Sequence, residues 1–156
     1  MSERNEISKK NPYWIEKHRY LELKHFCLQY PIWKAARNSI DGLSKSPDLE
    51  MIFSKSGIIS DPTARCAMQI EEYNKKMNMI KKAAHDACYP DTILWIYILD
   101  GVTKGKSYEC LNAEHNIPCC KDKYYEIYRK FFYILNHYRN WLVAKFTILY
   151  MKGADL

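Results

Sequence analysis

Between Pro62 and Pro90, and again between Pro118 and Gly153, the chain carries neither a proline nor a glycine. Segments of that length without a turn residue favour helices over many short strands. Only five glycines and six prolines punctuate 156 residues, with 47% of residues apolar and 27% charged. The apolar share can bury a core, and the charge is too low for a disordered chain. An all-α fold is therefore expected: a helical domain with long N-terminal and central helices.

The first ten residues lack the apolar run of an export signal. The longest apolar segment, WLVAKFTILYM, is broken by Lys145 and is too short to cross a bilayer. Six cysteines in such a chain read as reduced thiols. The expectation is a cytoplasmic protein with no membrane partner and no disulfide. Net charge is +6, and residues 101–156 carry nine basic against five acidic groups. A positive balance gathered in the last third fits a nucleic-acid partner, although basic proteins without one are common.

Along the chain, Asn11 and Pro12 open a first helical pattern, and Trp14, His18, Leu21, His25 and Leu28 share one face. It should end before Pro31. His18 and His25 lie two turns apart, too far to share a metal, and read as partly buried, hydrogen-bonded histidines. Residues 31–61 read as a long irregular connection with a short helix around Pro47–Phe53. This sets a division into 1–61, an N-terminal helix and connection, and 62–156, a helical core. Ser60 or Asp61 with Pro62 starts a second helix. Its stripe is Cys66, Ile70, Tyr73, Met77, Ile80, Ala84 and Ala87, at alternating steps of four and three. A core helix explains that stripe better than an intermolecular coiled coil. TILWIYILDG, entered after Pro90 and closed at Gly101, reads as a buried helix, although its branched and aromatic residues would also suit a strand.

The segment GKSYECLNAEHNIPCCKDKYYEIYRKFF, Gly105 to Phe132, joins two helical patterns at a bend. Ser107 can cap a short helix from Tyr108 to about Glu114, and a long helix starts near Cys119 or Cys120. With Tyr124, Ile127, Phe131, Leu135 and Tyr138 facing inward, the outward side carries Asp122, Tyr125, Glu126 and Arg129, flanked by Lys121, Lys123 and Lys130. A short helix, a tight turn and a second helix exposing Lys, Tyr and Arg is the plan of a helix-turn-helix. Lys121, Lys123 and Lys130 suit phosphates, Arg129 a guanine edge, Asp122 or Glu126 a cytosine amine, and Tyr125 a phosphate or a thymine methyl. The same residues also suit the solvated face of a structural hairpin. Zinc is the third reading, yet Cys110, His115, Cys119 and Cys120 lack paired C-x2-C knuckles. No phosphate loop or metalloprotease or hydrolase motif occurs, so no enzyme activity, cofactor or metal is expected.

YPIW, Asn38, SDPT at Ser60–Thr63 before a long helix, and GKSYECL…IPCCKDKYYEIYRKFF together resemble the ArpU/RinA class of phage late transcriptional regulators. The likeness runs from about Trp14 to Asn140. It implies a helix-turn-helix like that of sigma factor region four, over 107–139. Ser107, Tyr108 and Leu111 match its first helix, Ile117 and Pro118 its turn, and Tyr124 the aromatic that docks the reading helix. Lys121, Asp122, Tyr125 and Arg129 fall where bases and phosphates are met. It implies double-stranded DNA as partner, host RNA polymerase as a second one, and activation of late or packaging genes. Cys120 departs from the serine usual there, and the apolar extension through WLVAKFTILYM suits a homodimer face or a polymerase contact. The alternatives are a small terminase-like packaging subunit and a non-DNA-binding inhibitor of a host protein.

Overall fold

Among the described residues, both long stretches without proline or glycine are helical over most of their length. A computed structural model describes residues 9–44 and 62–153, with side chains at 9–40 and 64–140. Among the described residues there are six helices and no strand: α1 (Lys17–Leu28), α2 (Tyr30–Ser44), α3 (Pro62–Cys88), α4 (Trp95–Lys104), α5 (Tyr108–His115) and α6 (Lys121–Gly153). The fold is all-α, as its breaker pattern implies. No helix among the described residues is long and apolar enough to cross a membrane. The expected helix at Pro47–Phe53 lies outside the described residues.

By packing, the described residues fall into two compact units. Gln29–Asn78 form one compact unit, and the residues up to Leu28 and from Met79 onwards form the other. The first helix ends at Leu28, before Pro31 as expected, but in the smaller unit Pro31 does not stop a second helix from starting at Tyr30. It sits in the first turn of α2, where its missing N–H has no helical acceptor to lose. The irregular connection expected from residue 31 is therefore helical as far as Ser44. Trp33 is buried, with the Lys76 ammonium 5.5 Å from its ring centre, and the Arg37 guanidinium donates to Asn74 Oδ1 at 3.3 Å. Along α3 the expected stripe holds. Cys66, Ile70 and Tyr73 are half-buried, and Met77, Ile80, Ala84 and Ala87 are buried.

In the larger unit α1 packs on α4 and α6. Its start is later than the Pro12 signal implies, because Asn11 Oδ1 accepts from the Tyr13 N–H and closes a turn there. Glu16 does the capping: its carboxylate accepts from the N–H groups of His18 and Arg19, each at 3.2 Å. Those two bonds hold its carboxyl below the ordinary carboxylate range. Leu23 and Cys27 are fully buried. His18 and His25 are exposed, not partly buried as expected, since the covered side of α1 runs through Leu23 and Cys27. Arg19 donates to Asn136 at 2.7 Å and to Asn140 at 2.8 Å, and Arg139 reaches Glu22 at 3.0 Å while lying over the Phe26 ring.

The α4 helix starts at Trp95, after a cis Tyr89–Pro90 peptide and a turn over 92–94. It runs through Gly101 to Lys104, and Gly105, at φ 67°, ends it. Gly101 therefore serves another purpose than the stop expected of it. A Cβ there would collide with the hydroxyl of Tyr124 and come within 3.3 Å of Leu111. A missing side chain in α4 thus lets α5 and α6 close onto it.

Candidate nucleic-acid interface

Ser107, in extended geometry, begins α5 by accepting from the Cys110 N–H at 3.3 Å. Leu111 anchors the short helix in the core. The helix stops because Asn116 turns left-handed at φ 50°, with its N–H donating to the Asn112 carbonyl at 2.8 Å. Asparagine tolerates this conformation better than other residues that carry a side chain. The Asn112 side chain then accepts from the N–H of Ile117 at 3.0 Å, and Ile117 is buried. The Tyr108 hydroxyl donates to the Cys119 carbonyl at 2.7 Å, tying α5 to the far side of the bend. The Cys120 carbonyl accepts the first helical bond of α6, from Tyr124, so that helix begins at Lys121.

The inner side of α6 is close to expectation: Tyr124, Ile127, Phe131 and Leu135 are buried, and Tyr138 is half-buried. It is also wider. Phe132 is buried too, with the Tyr20 ring of α1 edge-on to it at 4.9 Å. The adjacent pair Phe131–Phe132 is the signal that two sides of the helix are covered. Burial pushes the Tyr124 and Tyr128 hydroxyls far above their ordinary titration range.

All seven residues expected at the interface lie at the surface. Lys121, Asp122, Lys123 and Glu126 are exposed, and Tyr125, Arg129 and Lys130 are half-buried. Tyr125 lies edge-on to Tyr124 and Tyr128, which limits its reach. At Tyr133 the helix is covered by the Tyr13 ring, 5.8 Å away, while His137 and Asn140 further along are exposed. The seven expected residues occupy the first turns of α6, from Lys121 to Lys130.

The lysines around the hairpin are not equivalent. Lys121 pairs with Glu109, Lys106 with Glu114 at 2.5 Å, and Lys104 with Asp100 at 2.8 Å. These partners hold the Glu109 and Glu114 carboxyls below their ordinary range. Sequence reasoning missed all three pairs. Lys123, Arg129 and Lys130 have no ion-pair partner among the described residues. Lys123 and Lys130 line a cleft of about 70 Å³ between α6 and the end of α3 with the turn that follows it, together with Tyr13, Pro90, Asp91 and Glu126.

The four residues considered for zinc do not converge. Cys110 and Cys120 are exposed, Cys119 is half-buried, and the Cys110 thiol faces Glu114 Oε1 at 3.6 Å. Among the described residues no three His, Cys, Asp or Glu side chains are grouped to hold a metal. Cys88 is a buried thiol whose pKa burial pushes up to about 12. Compared with known protein families, curated proteins and solved structures, the chain matches none.

Proposed function

We propose that the chain is a DNA-binding transcriptional regulator whose α5–turn–α6 hairpin docks on duplex DNA, with the start of α6 in the major groove. One observation carries the reading. A capped hairpin buries the inner side of α6 and leaves Asp122 and Glu126 exposed and Arg129 half-buried on its outer side. Those positions recur at steps of four and three, so they share one face over two turns, about 11 Å of helix. That span matches a major groove about 12 Å wide. Arg129 offers a fork to a guanine edge, and the two carboxylates accept from cytosine amines. The sequence likeness to ArpU/RinA regulators extends this to a phage protein acting on late or packaging genes beside host RNA polymerase.

Footprinting of the full chain on the genome that encodes it tests the reading. Protection of a discrete site, weakened by Arg129→Ala with unfolding temperature retained, is the expected result. Loss of that one fork should cost about 1–3 kcal/mol of discrimination. An absence of protected DNA would leave the hairpin a structural element and favour the inhibitor alternative. A large ring in solution would favour the packaging subunit.

A further inference from the structure

The two flanks of the reading helix differ in chemistry. At about 100° per residue, Lys121 and Lys123 stand about 160° apart, measured the shorter way, and Lys130 falls about 20° from Lys123. The Lys121 side faces α5, where Glu109 and Glu114 already hold Lys121 and Lys106. The Lys123 side faces the end of α3 and the turn after it across the small cleft. Neither cleft lysine has an ion-pair partner among the described residues.

We infer that the duplex is gripped through its backbone on one flank only: a phosphate lodges between Lys123 and Lys130 at the cleft, while Lys121 and Lys106 stay with their own carboxylates. This rests on the DNA reading above. A phosphate on the α5 side would have to displace Glu109 or Glu114 and then face the released carboxylate. A phosphate at the cleft displaces no carboxylate. The cleft also holds Asp91 and Glu126, so its own charge is close to balanced. It offers little to a free phosphate dianion. A singly charged diester already carried there by a docked duplex gains two cation contacts. At about 70 Å³ the cleft is of a size that a phosphoryl group can fill.

The test measures binding of the full-length chain to a short mixed-sequence duplex across a salt series. Each phosphate neutralised contributes about 0.9 to the slope of log affinity against log salt. Lys123→Gln and Lys130→Gln should each flatten the slope, with about 0.9 lost if both ammonium groups meet separate charges and less if they share one. Lys121→Gln and Lys106→Gln should leave it unchanged. Unfolding temperature should hold in all four variants. A slope that falls for Lys121 and Lys106, or equally for all four, overturns the one-flank grip while leaving DNA binding intact. No binding by the unaltered chain overturns the DNA reading itself, and the grip with it.

Discussion

The Tyr124 hydroxyl of α6 sits against Gly101 of α4 so closely that no Cβ fits between them. That hydroxyl is buried and makes no hydrogen bond. The position tolerates an unpaired polar atom only because the ring fills the space between α4, α5 and α6.

Gly101→Ala should therefore destabilise the fold. Helix propensity alone favours alanine over glycine by about 1 kcal/mol. Overpacking works against it and costs about 1–3 kcal/mol in a tight core. The collision is with a stiff aromatic side chain, so overpacking should win. Tyr124→Phe removes the colliding oxygen and the unpaired polar atom together, so in the alanine background it should restore much of the loss. Urea unfolding of the two single variants and the double variant checks this. A Gly101→Ala protein as stable as the parent would show that Tyr124 can move away at little cost.

That contact also marks where reading the chain by eye stops. Periodicity is local, so the α3 stripe, the Ser107 cap and the inner residues of α6 were all legible. The purpose of Gly101 was not, because a glycine that ends a helix and one that admits a distant ring look alike in one dimension. Pro31 did mark the end of α1, but the helix that restarts at Tyr30 was not legible, because a proline after a stop also suits a first turn. The pairing of Lys121 with Glu109 spans twelve residues and two helices, so no spacing rule announces it. The same holds for the cover that Tyr20 lays over Phe132.

Asn116 supplies a second test. Its left-handed backbone ends α5 and aims Ile117 into the core. Asn116→Gly should change stability by only a few tenths of a kcal/mol, since glycine adopts this conformation freely. Asn116→Ala should cost about 1 kcal/mol, because its Cβ is strained there. Unfolding midpoints measured side by side decide it. An alanine variant equal to the glycine variant would mean that the bend is held by Tyr108 and Ile117 instead.

High pH should unfold the protein. Burial raises the Cys88 thiol from an ordinary 9.0 to about 12, and burial with the Asp86 hydrogen bond raises the Tyr138 hydroxyl from 10.0 to about 12. A raised folded-state pKa means that the native state holds its proton more tightly than the unfolded chain. The associated stability is complete below the unfolded value and is lost as pH climbs through the folded one. Stability should thus decline from about pH 9 towards 12. Cys88→Ala should flatten that decline, whatever its effect near neutrality. A pH series of urea midpoints that stays level above pH 9 would contradict both groups.

The ion pair between Glu109 and Lys121 makes the last prediction one of gained function. The pair is exposed and therefore weak, and its loss should leave unfolding temperature nearly unchanged. Its importance is for DNA, because Glu109 occupies the lysine nearest the start of the reading helix and keeps a negative charge beside it. Glu109→Gln preserves size and removes the charge, which takes away the carboxylate that competes with a phosphate for Lys121. Affinity for duplex DNA should rise, and the salt slope should steepen by about 0.9, the signature of one additional phosphate contact. In the Glu109→Gln background, Lys121→Gln should return the slope to its starting value, although it has no effect alone. Unchanged affinity in the glutamine variant would mean that Lys121 stands clear of the duplex whatever holds it, and tighter binding without a steeper slope would mean that Glu109 acts by general repulsion and not through Lys121.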